Sequence, residues 1–407
     1  MKHARPPIQA DQPRLLASRN FLLLWGVGGI GNATRWLEVL AAALFTLDVT
    51  GSEFDVAVVS AARSLPLLFT GALSGVIADA FNRRAIVLGG AILSLASAAT
   101  IAVLAWLGVV QPWHLFTASL VSGLVYGTEM STRRRMAGES VAPSLVARAV
   151  ALDSMTGSAS RVAGPLIGGV AYQFLGLFGA FCVSTVLSVA AVAMAGQLRH
   201  QQARRPLSPR AVLTDLAEAA VVVRRSAVLL GLLGVTVAQN LFGFSYSALM
   251  APVGQDVFGA SAALVGVLSA AEPAGATLGG ILLAWRGTPR GQPVWLLLGG
   301  AAAFMAAMGL LPAVPWFWAA CGLLLAGGFG VALYSNEQTT IALAYAPAPV
   351  RSRVMGLMTV AVGTWPLGML LAGWLADHVG PLWALGALGW GGLLWLAAVG
   401  SVLARRR

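Results

Sequence analysis

Gly75-Val-Ile-Ala-Asp79-Ala-Phe-Asn82-Arg83-Arg84 joins an apolar run that ends near residue 78 to another that begins near residue 84. Each run, wound as a helix rising 1.5 Å per residue, is long enough to cross roughly 30 Å of hydrocarbon. A brief polar turn between two such runs reads as a chain that leaves a bilayer and re-enters it at once.

The same alternation extends in both directions. Apolar segments fall at approximately 20–46, 56–78, 84–107, 113–134, 146–173, 176–197, 227–250, 261–284, 294–311, 314–341, 353–376 and 380–402. Of the 407 residues, 58% are hydrophobic and 10% charged, and the mean hydropathy is +0.80. A soluble chain carries about 25% charge, so ordinary soluble enzyme folds are excluded. Twelve spans of roughly 20 residues use about 240 positions and leave room for short loops only. The fold class is therefore an all-α polytopic membrane protein of twelve transmembrane helices. It divides into an N-terminal arm (1–19), six spans (20–197), a linker (198–226), six further spans (227–402) and a basic tail (403–407).

Charge sets the orientation. Arginine or lysine occupies the arm, Arg83 and Arg84, Arg133 to Arg135, Arg148, the linker, Arg286, Arg290, Arg351, Arg353 and the tail. With an even number of spans these positions share one side. The opposite connections carry Asp48, Glu53, Asp55, Asp256 and Asp377 and no arginine or lysine. The positive-inside bias then places both termini in the cytoplasm. The arm has no short apolar core with a small-residue cleavage site, so it reads as retained. In the linker Leu213, Leu216, Ala220 and Val223 recur at helical spacing and suit a short amphipathic helix on the inner surface.

The net charge of +11 comes in short clusters rather than along one cationic face, which excludes a nucleic-acid partner. Cys182 and Cys321 lie in apolar runs and the four histidines are scattered, so no metal site is expected. No Walker loop or dinucleotide fingerprint occurs in a strand-to-helix setting. No cofactor is expected, and an ion gradient is the energy source. No compact polar catalytic cluster is visible either, which argues against an enzyme.

An ionised side chain in hydrocarbon costs at least about 2.5–3.5 kcal/mol, so the few embedded ones are informative. Asn32, Arg35 and Glu38 recur every third residue on one helical face, where Arg35 and Glu38 are expected to compensate each other. Glu38 is the first candidate for binding and releasing a proton. Arg63, just before Pro66, is expected to meet Glu38 or an anionic group of a substrate. Asp153 and Arg161 lie eight residues apart on a similar face. Asp153 suits an ion pair with a basic loop at the inner gate, or proton carriage. Glu272, before Pro273, is a secondary proton candidate, and Glu129 and Glu337 are expected to pair with arginines near the inner surface. Each of these groups serves equally well as a permanent salt bridge that fixes helix packing.

The halves also resemble each other. Tyr126-Gly-Thr-Glu129, Pro143, Arg148, Pro165 and Gly169 have counterparts in Tyr334-Ser-Asn-Glu337, Pro349, Arg353, Pro366 and Gly373, at an offset of about 205 residues. Such internal repeats let transporters place one substrate path between two similar bundles and alternate its access.

With these residues in view, the chain resembles the major facilitator superfamily. Gly75, Asp79, Arg83 and Arg84 look like that family's motif A, which implies a close-packing glycine and an inner-gate charge relay; Ala80 and Asn82 depart from it. Gly164-Pro165-Leu-Ile-Gly168-Gly169 resembles the end of its antiporter motif C, with Ser160 and Ala151 in place of glycines, and implies a hinge and packing role. The overall pattern resembles bacterial drug and siderophore exporters of the enterobactin-exporter type. That resemblance implies two six-helix bundles in a bacterial inner membrane. It also implies proton-driven efflux of a small amphipathic molecule, with lipids around the chain and no obligate protein partner. A proton-coupled uptake symporter is the alternative, and a nontransporting membrane interaction or assembly protein stands behind it.

Overall fold

The computed structural model describes residues 15–66, 82–199, 220–289, 291–347 and 350–405. Gly75, Asp79, Leu213 and Leu216 lie outside them, so motif A is described only at Arg83 and Arg84, and of the expected linker helix only Ala220 and Val223 are described.

The described residues are helical, with no strand among them. In chain order the helices are α1 (Arg19–Thr50), α2 (Glu53–Ala62), α3 (Arg83–Trp106), α4 (Pro112–Glu139), α5 (Val146–Gly196) and α6 (Ala227–Ala238). They continue as α7 (Ala262–Arg286), α8 (Pro293–Leu310), α9 (Phe317–Tyr345), α10 (Arg351–Val362), α11 (Trp365–Val379) and α12 (Pro381–Arg405). Among the described residues eight helical stretches are long and apolar enough to cross a membrane. At 32 residues α1 is also long enough, but its embedded Asn32, Arg35 and Glu38 dilute its apolarity.

Local chemistry sets the helix ends. Ser18, Ser52 and Ser226 accept backbone N–H groups at the starts of α1, α2 and α6, which satisfies donors left free in a first turn. Asn82, a departure from motif A, has the same job at α3: its side chain accepts from Arg84 and Ala85 N–H at 2.9 and 3.3 Å. Gly51 ends α1 in a left-handed conformation with φ 62°, the usual stop for a helix. Inside α5, Gly176 has φ 64° and ψ −166°, a region essentially closed to other residues. It turns α5 back on itself between the two apolar segments read there.

Among the described residues three expected spans are broken rather than continuous, the one read at 56–78 being interrupted at Arg63 and Ser64. Beyond α6 the chain passes through a π-helical turn (Gln239–Gly243), a 3-10 stretch (Phe244–Leu249) and a second π-helical turn (Val253–Val257). Between α10 and α11 the helix is interrupted at Gly363 and Thr364. Such irregular backbone at membrane depth is tolerated where it lines a cavity. Trp365 Nε1 donates to the Phe244 carbonyl at 3.0 Å and satisfies one of the freed acceptors.

Across the two halves of the chain, α5 packs on α7 and α2 on α11. Small residues permit this approach. A Cβ on Gly266 would lie 2.6 Å from the Pro165 carbonyl oxygen, and one on Gly373 would meet Ala57 and Phe54. Gly164 and Gly168 instead face α1, where a Cβ would meet Trp36 and Leu37. The four motif positions thus bring α5 against both α1 and α7.

A cavity between the halves and its charged walls

A cavity of about 260 Å³ lies between the halves. One wall is α1 with Arg35 and Trp36; α5 contributes Arg161, and the broken stretch after α6 contributes Phe244 and Tyr246. Trp365, at the start of α11, stands 6.5 Å from Trp36, centroid to centroid. A second cavity of about 70 Å³ lies within the N-terminal half and reaches Asn32, Arg35, Glu38, Arg63, Tyr126 and Glu129. Arg35 lines both.

The structure pairs the embedded charges differently from their spacing in sequence. Glu38 does not pair with Arg35. Its Oε2 binds Arg63 Nη2 of the turn after α2, and Ser184 Oγ donates to its Oε1 at 2.5 Å. Arg63 and Glu38 are 10% and 12% exposed, so a cross-helix ion pair with a hydroxyl donor satisfies both in low dielectric. Arg35 instead lies over the Tyr126 ring, 4.0 Å from its centroid, with Trp36 at 5.5 Å. Arg35 Nε is buried without a hydrogen bond, and Arg35 makes no ion pair with a carboxylate among the described residues. Asn32 accepts a 3.4 Å contact from Tyr126 OH.

Asp153 and Arg161 are likewise not partners. Asp153 binds Arg133 Nη1 at 2.7 Å and Arg134 Nε at 3.0 Å. Arg133 also reaches Glu129 at 3.4 Å. Expected at a span edge, Arg133 is only 2% exposed; two carboxylates make that burial tolerable. Arg161 Nη2 crosses to Glu272 Oε2 at 2.9 Å, and Tyr246 OH donates to the same oxygen at 2.8 Å. Glu272 is wholly buried, and its Oε1 has no partner. Glu337 accepts from Asn336 at 3.3 Å and, unlike Glu129, has no arginine partner among the described residues. Arg83 forms an ion pair with Glu139 at 2.7 Å, and Arg84 donates to the Gly196 carbonyl at 2.9 Å.

Sequence reasoning missed Ser184, Tyr126 as a shelf for Arg35, and Arg133 as a buried group. Arg133 lies four residues after Glu129, a spacing that brings side chains together on a helix and could have revealed it.

Among the described residues three hydrogen bonds join the halves beyond the cavity, toward the end that carries the acidic connections, and a fourth joins them in the cavity wall. Asp377 accepts from Phe54 N–H at 3.0 Å, Asp48 from Gln255 at 3.2 Å, and Gln173 from Ala263 N–H at 3.0 Å; the fourth is the Arg161–Glu272 contact. Partial burial pushes the Glu53 carboxyl above its usual range, and a hydrogen bond with Asp377 together with the charges of Asp377 and Asp256 raises it further. No group of three or more metal-ligating side chains occurs among the described residues.

Residues 14–405 match the family described as transmembrane secretion effector. The chain belongs to that family. Transmembrane secretion effectors form part of the major facilitator superfamily named from motifs A and C, and the curated relatives include drug and macrolide efflux proteins. Macrolide efflux protein A of Streptococcus pyogenes is 22% identical over 386 residues, covering 88% of this chain and 90% of the relative. The multidrug efflux pump Tap of Mycolicibacterium fortuitum is 27% identical over 373 residues, covering 86% and 87%. A crystal structure of a POT family transporter in complex with a thioalcohol-conjugated peptide shares the fold, with a TM-score of 0.75 over 95% of this chain and 96% of that one at 11% identity. The narrower likeness to enterobactin exporters gives way to this broader kinship with multidrug and macrolide efflux proteins. The chain is a multi-pass bacterial membrane protein, a secondary transporter of a small molecule and not an enzyme.

Proposed function

We propose that the chain is a proton-coupled exporter of a small amphipathic molecule, built as twelve spans in two related six-helix bundles with both termini in the cytoplasm. The observation that carries this reading is the cavity between the halves, with ionisable pairs in its walls and hydrogen bonds between the halves on its acidic side. If the arginine-bearing connections face the cytoplasm, that arrangement is the inward-facing state of an alternating-access cycle. The efflux names of the full-length relatives support outward transport.

Glu38 is the coupling residue. In this state it is held by Arg63 and Ser184 and lines the smaller cavity. A proton on Glu38 would release Arg63 and loosen α1 from α2. Glu272 has a second role: protonation would weaken its contact with Arg161, one of the four bonds that hold the halves together. Asp153, locked between Arg133 and Arg134, belongs to an inner charge network with Arg83 and Arg84 nearby in the fold; Gly75 and Asp79 complete the motif. Gly164, Pro165, Gly168 and Gly169 act as the packing hinge of α5.

The test is transport into vesicles that hold the purified protein, with an imposed pH difference and protein-free vesicles as control. Antiport accumulates a labelled macrolide or organic acid in the acidic compartment. A proton-coupled uptake symporter, the second reading, shares the fold of the peptide-bound transporter above and accumulates substrate in the alkaline compartment. Equal movement with and without the gradient would remove the coupling claim.

A further inference from the structure

The charges that line the larger cavity are both positive. Arg35 and Arg161 face it, and no carboxylate is among its lining residues. Arg161 is answered from behind by Glu272, which is wholly buried. Arg35 is not answered by any acid among the described residues, and the Arg63–Glu38 pair beside it is already neutral. The cavity therefore carries one uncompensated positive charge in a setting that water screens poorly.

The way Arg35 is held adds to this. The Tyr126 ring sits under its guanidinium at 4.0 Å, which supports the charge through the face of the group. The N–H donors lie in the guanidinium plane, and the buried Nε has no acceptor. A guanidinium seated on an aromatic ring, with an unpartnered Nε–H and no acid against it, suits the oxygens of a carboxylate, sulfonate or phosphate. Ser269 Oγ, on α7 and also lining the cavity, is buried without a partner and offers a further donor. Four aromatic side chains, Trp36, Phe244, Tyr246 and Trp365, stand in the remaining walls among aliphatic and neutral polar ones.

We propose that this cavity binds organic anions, with the acidic group on Arg35 and an aromatic body between Trp36, Phe244 and Trp365. This rests on the transporter reading above for its biological meaning but is tested by binding alone. A cationic drug would have to enter a positive site, so the proposal separates this chain's preferred substrates from amines.

The probes are 2-naphthoate, 2-naphthamide and 2-naphthylmethylammonium, which share one ring system and differ in charge. Affinities for the purified full-length protein are measured by calorimetry at neutral pH. The expected result is that 2-naphthoate binds at least tenfold tighter than either of the others, equivalent to about 1.4 kcal/mol. Arg35→Gln should bring naphthoate and naphthamide to equal affinity, and Arg35→Lys should keep part of the preference. Equal or tighter binding of the ammonium, no difference among the three, or no binding by any of them would overturn the proposal, and none of these readouts depends on the variants folding. An anion preference retained by a protein that moves nothing across vesicles would leave the proposal standing and remove the transporter reading. Gradient-driven transport of the ammonium with no anion preference would do the reverse.

Discussion

One place in the fold is built twice and filled in two ways. In the N-terminal half Tyr126, Glu129 and Arg133 share a helix, and Arg133 bridges Glu129 and Asp153 at 3.4 and 2.7 Å. At an offset of 208 residues the C-terminal half has Tyr334, Glu337 and Ile341, and Met358, at the offset of 205 that also relates Arg148 to Arg353, stands where Asp153 does. There Tyr334, Ile341 and Met358 are buried together in one apolar cluster. The contrast continues into the cavity, where Gly243, Phe244 and Tyr246 occupy the places of Arg35, Trp36 and Glu38. Apolar packing is insensitive to a proton, whereas an ion pair in low dielectric can be undone by one. On the proposed cycle, one half would change its internal contacts and the other would hold its shape against it.

The largest expected difference is in coupling. Glu38→Gln should abolish gradient-driven accumulation in vesicles while leaving ligand binding measurable, and Tyr246→Phe at the matching place should leave the gradient response intact. If Tyr246→Phe uncouples and Glu38→Gln does not, the assignment of the switching half is reversed.

Stability comes next. Arg133→Ala leaves Asp153 and Glu129 without their buried partner and should cost about 3–5 kcal/mol, read from denaturant unfolding in detergent. Discharging the site after the pattern of the other half, with Arg133→Ile and Asp153→Met, and with Glu129→Gln so that no buried acid is left unpaired, should restore most of that stability, because hydrophobic replacement of a buried ion network is often neutral or better. Transport should stay lost. Full transport by this triple variant would show the network to be mere scaffolding.

Met358→Ala removes buried apolar volume and should fall at the lower end of the roughly 2–5 kcal/mol typical of such cavities. It should lower the unfolding midpoint and leave the response to the pH difference unchanged. A changed response would break the division of labour between the halves.

The smallest effect is expected at the acidic end. The Glu53 carboxyl is raised by burial and by Asp377, so this conformation binds its proton more tightly than an open one does. The sign follows: acid on that face favours the joined halves, and the preference fades as pH rises through the raised value. Spin labels at Gly51 and His378 should report a shorter mean distance on acidification, and Glu53→Gln should flatten the curve.

Much of the fold was legible in the chain because the bilayer imposes length and apolarity. The turn at Gly176, the stop at Gly51 and the run of helices all fall at or near boundaries that hydropathy and glycine mark. The breaks near Phe244 and Thr364 carry no charge and so do not stand out in hydropathy; their signals are the weaker ones of Gln239, Asn240, Gly243 and Ser245, and of Gly363, Thr364 and Pro366. At the site, the identities of Glu38, Arg63, Arg161 and Glu272 stood out as ionisable residues inside apolar runs. Their partners did not. Spacing along one helix pairs Arg35 with Glu38 and Asp153 with Arg161, but the real partners come from neighbouring helices, whose relative rotation and depth no single segment encodes. Arg133 was hidden for a related reason: it stands at the margin of its run, and only the third dimension shows two acids closing over it.

Where Gly169 meets Ala262 and Gly266, a Cβ would strike main chain rather than side chain. Two ribbons in bare contact have no knobs to disengage, so parting them demands no rotamer change and little shear. If the halves part here, the cost at this point is the wetting of a narrow dry seam, added to the loss of the Arg161–Glu272 and Gln173–Ala263 bonds along the same pair of helices.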